Sequence, residues 1–187
     1  MHEFSVLNLF SKTNLASKLT EKFDQTLLDY DLRRFPDGET YFRLLSKKFN
    51  KKIIIIADLN QPDNKLMPLL TVAESLKTLG VKSVGLVSPY LPYMRQDIAF
   101  HSGEAITSRV FSKIISDYFD WMVTVDPHLH RYHDLSEIYS IPTQLVHANR
   151  AIASWVKNNI KNPILIGPDS ESEQWLSKIA GYENLPF

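Results

Sequence analysis

Short apolar runs alternate with stretches of helical spacing along this chain of 187 residues, and the alternation limits the folds it can adopt. Ile53–Ala57 is apolar throughout, which is typical of a strand covered on both faces. Apolar residues then recur at helical spacing from Leu66 to Leu76, and Gly80 stands where a helix-ending glycine is expected. Repetition of this order predicts an α/β fold in which a mostly parallel sheet carries helices on both faces.

The remaining segments follow the same two patterns. Further strands are predicted at Val6–Phe10, Val84–Val87, Trp121–Val125 and Ile164–Ile166, and further helices at Thr13–Phe23, Ile106–Tyr118, Ile152–Val156 and Trp175–Ile179. Leu32–Leu45 is predicted to form two short strands joined at a Pro-Asp-Gly turn. Pro68 requires its helix to begin near Asn64, so that the proline stays in the first turn.

Composition excludes several classes of function. The 21 acidic and 21 basic side chains balance, so no long-range field indicates nucleic acid or an anionic membrane as a partner. The chain has no cysteine, which excludes disulfides, zinc–thiolate sites and cysteine nucleophiles. Its apolar runs are far shorter than the roughly 20 residues of a membrane helix, and its first residues lack the pattern of a secretion signal. The expected location is the cytoplasm.

In sheets of this kind, ligands bind beyond the carboxyl ends of the strands, so the residues that follow each apolar run are candidates for a binding site. Arg95, Gln96 and Asp97 lie in a loop that leaves the strand Val84–Val87. An arginine fork suits phosphate oxygens, and a glutamine can pair with a base or a phosphate. The alternative interpretation is a surface salt bridge between Arg95 and Asp97.

Two acidic residues and a histidine are predicted to reach the same edge of the sheet. Asp126 and His128 follow one predicted strand, and Asp169 follows another. An Asp-x-His segment at a strand end could bind Mg²⁺ or position its waters, and a magnesium site needs only one or two protein ligands. His130 and His133 lack the spacing of zinc ligands and are predicted to be polar loop residues.

The segment from Phe35 to Glu39 admits two interpretations. Pro-Asp-Gly is a strong turn former, so the segment is either a solvated hairpin turn or a loop that offers an aromatic face and carboxylates to a base or a sugar. The chain contains neither Gly-x-x-x-x-Gly-Lys-Ser/Thr nor Gly-x-Gly-x-x-Gly. Any ATP is therefore not bound through a P-loop or a dinucleotide fingerprint.

The order and spacing of these motifs resemble those of ribose-phosphate pyrophosphokinases, the PRPP synthetases, over nearly the whole chain. The segments that carry the resemblance are Phe35–Glu39, Asp63–Leu70, Pro89–Asp97, Thr124–His128 and Pro168-Asp169. The stretch Ser102–Thr107 looks closer to archaeal-type members of the family. The resemblance implies a fold similar to type I phosphoribosyltransferases.

The resemblance also implies roles for individual residues. The residues implied for nucleotide binding are Phe35, Asp37, Gly38, Glu39, Arg95, Gln96 and Asp97. His128 and Asp169 would lie at the Mg²⁺ site, and His128 is also the implied catalytic residue. The hairpin residues would reach the adenine of an ATP bound mainly by a neighbouring subunit, which implies a homo-oligomer with a shared ATP site.

The implied reaction moves the β,γ-diphosphoryl group of ATP to the 1-hydroxyl of ribose 5-phosphate and gives AMP and PRPP, for nucleotide biosynthesis. The family's basic catalytic loop and its ribose 5-phosphate loop would both follow Phe187. Residues 1–150 are therefore expected to form the N-terminal phosphoribosyltransferase-like domain, and residues 151–187 the start of a truncated second domain. The chain alone is expected to be inactive. Two alternatives stay open: a non-catalytic subunit associated with a synthetase, and a phosphoribosyltransferase.

Overall fold

The computed structural model describes residues 3–167, 172–184 and 186–187, and within them it contains eight strands and five α-helices. The strands are β1 Ser5–Leu9, β2 Thr26–Leu27, β3 Tyr30–Arg34, β4 Thr40–Leu44, β5 Lys52–Ala57, β6 Ser83–Ser88, β7 Trp121–Val125 and β8 Thr143–Val146. The helices are α1 Leu15–Phe23, α2 Asp63–Thr78, α3 Thr107–Tyr118, α4 Asn149–Asn159 and α5 Glu173–Glu183. None of these described helices is both long enough and apolar enough to cross a membrane.

Six strands form the main sheet in the order β2-β1-β5-β6-β7-β8, and the pairings from β2 through β7 are parallel. From β1 the chain passes through α1 to β2, toward one edge of the sheet. From β5 it passes through α2 to β6, and then through α3 to β7, toward the opposite edge. Because such crossovers are right-handed, the two directions put these helices on opposite faces. Val6 and Ile56 pack with Ala16 of α1, whereas Leu7 and Ile55 pack with apolar residues of α2 and α3. The predicted sheet with helices on both faces is confirmed.

The predicted hairpin forms a separate two-stranded antiparallel sheet of β3 and β4. Its ladder ends at the pair Arg34 and Thr40, so residues 35–39 form the tip. The hairpin packs against the main core through Tyr30, Leu32, Phe42 and Leu44. Gly38 has a φ of +92°, a conformation that favours glycine, and the tip therefore depends on this residue type.

Pro68 leaves one carbonyl group of α2 without its helical donor, and the hairpin supplies a replacement. Because α2 begins at Asp63, Pro68 lies in the second turn of the helix. The prediction that the proline lies in the first turn is wrong. A proline has no N–H, so the carbonyl of Asn64, four residues earlier, lacks the usual helical hydrogen bond. Arg34 Nη2 donates to that carbonyl oxygen at 2.9 Å. The contact joins the base of the hairpin tip to the first turn of α2.

Gly85 of β6 lies under the indole of Trp121, its partner on β7. A Cβ atom built on Gly85 would stand 2.0 Å from Trp121 Cζ2 and 2.1 Å from Cε2. No larger residue fits at this position unless the indole moves. A glycine inside a central strand is thus explained here by the close approach of a neighbouring ring.

Residue contacts divide the chain into two compact units, Met1–Leu145 and Val146–Phe187. In the second unit, α4 packs against α5 and Lys157 Nζ pairs with Glu183. The predicted strand Ile164–Ile166 is wrong, because the segment forms no strand and pairs with none among the described residues. Ile166 is 86% exposed, as expected for a segment without a neighbouring strand. The expected domains 1–150 and 151–187 stay a prediction.

Candidate functional site

The loop after β6 places three consecutive candidate residues in different environments. Ser88, the last residue of β6, donates from its buried Oγ to the carbonyl oxygen of Tyr90 at 2.6 Å and turns the chain at the edge of the sheet. Farther along, Arg95 is exposed and Gln96 is half-buried. Asp97 is buried, with 3% of its surface exposed. Arg95 is therefore open to a ligand, whereas Asp97 faces the protein.

The carboxylate of Asp97 is held by the loop after β7. Arg131 Nη1 donates to Asp97 Oδ1 at 2.7 Å, and Tyr132 Oη donates to the carbonyl oxygen of Asp97 at 3.1 Å. The interpretation of Asp97 as half of a surface salt bridge with Arg95 is wrong, because the carboxylate is buried against Arg131. Sequence reasoning missed Arg131 and Tyr132, since 34 residues separate Asp97 from Arg131 and no local spacing connects them.

The first turn of α3 orients Gln96. Thr107 Oγ1 donates to Gln96 Oε1 at 3.1 Å, and the N–H of Ser108 donates to the carbonyl oxygen of Gln96 at 3.3 Å. Ser108 Oγ also lies 3.3 Å from Tyr132 Oη, so the same helical turn contacts both loops. The amide oxygen of Gln96 thus accepts from Thr107, and the NH₂ group is the other end of the amide. That end is the donor side of the residue.

His128 lies on the loop that follows β7 and is exposed. Asp126 has a φ of +39°, which turns the chain away from the strand. The rings of His128 and His130 are stacked, with centroids 6.4 Å apart and planes inclined by 30°. Arg131, three residues after His128, makes the contact with Asp97. The structure thus brings the loops that follow the adjacent strands β6 and β7 together.

Few described groups at this edge are of a type that could ligate a metal ion. Among the residues that the structure describes, no three His, Asp or Glu side chains form a cluster that could hold a metal ion. Asp169, the second residue predicted at the Mg²⁺ site, lies outside the described residues. Asp126 and His128 offer one carboxylate and one imidazole beside the phosphate-binding candidates. Such a donor set fits an ion that keeps water and phosphate oxygens as its main ligands.

The hairpin tip is a tight turn with an exposed aromatic ring. The N–H of Phe35 donates to the carbonyl of Glu39, and that of Gly38 donates to the carbonyl of Phe35, each at 2.9 Å. Asp37 Oδ1 accepts from the N–H of Glu39 at 3.1 Å, so this carboxylate helps to hold the turn. Phe35 is 41% exposed and meets Tyr41 edge to face, with ring centroids 5.7 Å apart. The tip therefore presents a ring that is already oriented.

The first turn of α2 connects the tip to the loop after β6. Arg34, which bonds this turn, also donates from Nη1 to the carbonyl of Gly38 at 3.2 Å. From the other side, Tyr93 Oη donates to Asp63 Oδ1. A cleft of about 350 Å³ lies at this junction, and Gly38, Glu39 and Asp63 are among its lining residues. The predicted residues thus form two groups, at α2 and at α3, which the loop containing Tyr93 connects.

The Tyr93–Asp63 contact predicts a measurable pH dependence. Burial, together with the hydrogen bond and negative charge of Asp63, raises the pKa of Tyr93 from 10.0 to about 12. The folded chain disfavours the ionised phenol, so the contact of the protonated Tyr93 with Asp63 contributes to stability. This contribution is fully present below pH 10 and is lost as the pH rises toward about 12. Asp63→Asn is expected to lower the pKa, because the neutral amide removes the charge.

Titration of tyrosinate absorbance tests this expectation. The difference between the wild-type chain and Tyr93→Phe identifies the contribution of Tyr93 to the titration. The same difference is then measured in the Asp63→Asn background. Identical titration of Tyr93 in the two backgrounds would show that Asp63 has no part in the shift.

Comparison with known proteins connects this geometry to a family. The family model for the N-terminal domain of ribose phosphate pyrophosphokinase matches residues 4–118, which is more than half of the chain. The chain belongs to the ribose-phosphate pyrophosphokinase family. The range that this family model matches includes the hairpin tip and the loop with Arg95, whereas His128 lies after residue 118. The family resemblance inferred from the motifs is confirmed.

Several similar pyrophosphokinases are archaeal. The ribose-phosphate pyrophosphokinase of Methanobrevibacter smithii is 32% identical over 170 residues, which cover 89% of this chain and 56% of that protein. That of Saccharolobus solfataricus is 31% identical over 180 residues, which cover 95% of this chain and 61% of that protein. The predicted similarity to archaeal-type members is confirmed. The chain spans less than two thirds of the length of each of these relatives.

A solved structure confirms the expected fold of this chain. The crystal structure of phosphoribosylpyrophosphate synthetase from Mycobacterium smegmatis matches with a TM-score of 0.79 over 98% of this chain and 63% of that chain. The two sequences are 19% identical, so the likeness concerns the fold alone. The fold similar to type I phosphoribosyltransferases is thus confirmed.

Proposed function

We propose that this chain is the nucleotide-binding part of a ribose-phosphate diphosphokinase, which makes PRPP and AMP from ATP and ribose 5-phosphate. The observation that carries the proposal is the attachment of the His128 loop to the loop with Arg95 and Gln96, beyond the ends of two paired strands. Ligands of parallel α/β sheets bind at this edge. The exposed guanidinium of Arg95 and the NH₂ end of Gln96 are donors that suit the oxygens of a triphosphate.

Magnesium takes part as a component of the substrate Mg-ATP. His128 is proposed to contact the ion or its waters. The ion supplies neutralisation of the triphosphate charge, as in other phosphoryl transfers. This chain's own contribution is to orient the phosphates, through the fork of Arg95 and the amide of Gln96, whose oxygen Thr107 holds. His128 completes the edge from the neighbouring loop.

The hairpin tip is proposed to hold the adenine of an ATP that a second copy of the chain binds. Phe35 offers an exposed ring for stacking on a base. Gly38 and Glu39 line the cleft behind it and offer a carbonyl and a carboxylate to the amino group of adenine. Asp37 supports this arrangement, since its carboxylate holds the N–H of Glu39.

A second copy of this chain is the proposed partner at the hairpin. An apolar groove of about 600 Å³ lies between β4 and α2. Met67 lines both this groove and the cleft behind the tip, and 64% of its surface is exposed. Arg43 and Glu74 line the same groove, so two copies related by a two-fold axis would offer each other opposite charges. A second copy that covers this groove would lie beside the hairpin tip.

Calorimetric titration of the 187-residue chain with Mg-ATP tests the proposal. We expect weak, saturable binding that strengthens as the chain self-associates in sedimentation experiments. Arg95→Ala is expected to weaken binding about tenfold or more, because a hydrogen bond between charged groups is lost. Arg109→Ala changes another exposed arginine, on α3, and serves as the matched control with unchanged affinity.

The chain alone is proposed to bind Mg-ATP without making PRPP. Release of AMP from ATP and ribose 5-phosphate by the 187-residue chain would contradict that part. Equal affinity of the Arg95 and Arg109 variants would remove Arg95 from the site. If the monomeric chain binds Mg-ATP as tightly as the self-associated chain does, the shared site is ruled out. Absence of any binding by a self-associated chain would overturn the proposed function.

A further inference from the structure

Asp97 is poorly placed to contact a nucleotide. Its side chain is 2% exposed, and Oδ1 already accepts from Arg131 Nη1 at 2.7 Å. Its backbone carbonyl accepts from Tyr132 Oη. A carboxylate that is buried and neutralised by a guanidinium has no free face for a ligand, and a negative group would in any case repel a triphosphate. The position of Asp97 therefore points to a role inside the protein.

Arg131 connects the two loops of the site through one side chain. It follows His128 by three residues and reaches Asp97, the residue next to Gln96. Its guanidinium also lies over the ring of Phe100, 5.3 Å from the centroid, so the loop after β6 contacts it at two points. The side chain of Arg131 is 38% exposed, so this side of the pair is partly open to water.

The first turn of α3 completes the connection. Ser108 Oγ lies 3.3 Å from Tyr132 Oη, and the N–H of Ser108 donates to the carbonyl of Gln96. Thr107 holds the side-chain amide of the same glutamine. Gln96 and His128 are thus tied to one another by a short series of contacts, with the buried ion pair as its charged link.

We propose that Asp97 and Arg131 form a clasp that fixes the His128 loop against the loop with Arg95 and Gln96, and that both are positioning residues for Mg-ATP and not ligands of it. The clasp itself follows from the contacts of this chain. Its effect on Mg-ATP rests on the proposed function. Removal of Arg131 frees the His128 loop. His128 is then no longer held in a fixed position relative to Arg95 and Gln96, which donate to the phosphates.

Hydrogen–deuterium exchange and calorimetry of the full 187-residue chain test the clasp together. In Arg131→Met, peptides that cover residues 94–100 and 126–134 are expected to exchange about tenfold faster, because a local link that opposes opening is lost. Peptides from β5 are expected to be unchanged. The dissociation constant for Mg-ATP should rise about tenfold or more, since charged hydrogen bonds are no longer aligned.

Two conservative variants and one control separate positioning from general damage. Arg131→Lys keeps the charge and is expected to recover part of both effects, and Asp97→Asn keeps the shape and is expected to show both effects more weakly. These two variants also decide the matter if Arg131→Met does not fold. Arg109→Met makes the same change at an exposed site on α3 and should leave exchange and affinity as in the wild type.

The outcomes distinguish the clasp from the proposed function. Unchanged exchange in residues 126–134 of Arg131→Met overturns the clasp. Faster exchange with unchanged Mg-ATP affinity overturns the positioning role, because the link would then be structural only. If the wild-type chain binds no Mg-ATP when self-associated, the proposed function fails, and the exchange experiment alone decides whether the clasp exists.

Discussion

Arg131→Met is expected to lower the free energy of unfolding by about 3 kcal/mol, the lower end of the cost of removing one partner from a buried ion pair. The substitution leaves the carboxylate of Asp97 buried, with 2% exposure, and without its guanidinium. Methionine retains an apolar stem beside Phe100, so lost packing contributes little. Urea denaturation followed by far-UV circular dichroism measures the change.

Asp97→Asn is the informative comparison, because the two partners differ in exposure. The side chain of Arg131 is 38% exposed, so it can be hydrated when the charge of Asp97 is removed. The asparagine oxygen can still accept its hydrogen bond. We therefore expect a loss of about 1 kcal/mol for this variant. A double-mutant cycle with Arg131→Met gives the coupling energy. A larger loss for Asp97→Asn than for Arg131→Met would contradict this account of the pair.

Gly85→Ala is expected to cost about 2 kcal/mol of stability, within the range for side chains forced into a well-packed region. The added methyl group would stand 2.0 Å from Trp121 Cζ2, so the indole must rotate away from β6 and lose its packing. Alanine regains part of the loss, because glycine is unfavourable inside a strand by roughly 0.5–1 kcal/mol. The free energy of unfolding of the variant measures the balance.

Two further variants test the cause of that loss. Gly181→Ala, in α5, has no heavy atom within 4 Å of the new methyl group and is expected to be neutral or slightly stabilising. Trp121→Val removes the ring that causes the clash, so Gly85→Ala should cost much less in that background. An equal cost in both backgrounds would show that the indole is not the obstacle.

The fold could largely be predicted because its signals are local. Ile53–Ala57 is a strand on account of its continuous apolar run, and Gly80, with a φ of +86°, follows α2 where a left-handed residue is favoured. The two-residue strand β2 is too short to produce a periodic pattern. Ile164–Ile166 has the composition of a strand, but a strand also needs a neighbour, which composition does not supply. Local pattern therefore predicts elements better than pairings.

In the candidate site, too, residues with local motifs could be predicted, whereas contacts between distant parts of the chain could not. Arg95, Gln96 and His128 are predicted as site residues from their motifs, since residue type and position after a strand are visible in the sequence. Arg131 was missed because its importance comes from Asp97, which lies far away in the chain. The junction at Asn64 was missed for a similar reason: the missing donor of Pro68 is predictable, but its replacement by Arg34 is not.

The independence of the β3–β4 sheet bears on how such chains can change over time. The backbone ladder of the hairpin is separate from that of the six main strands, and residues 35–39 lie beyond its last pair. Insertions or exchanges in this tip would not shift the register of any strand in the main sheet. A segment of this kind can change in sequence, by natural drift or by grafting from a homologue, while the main sheet is inherited intact.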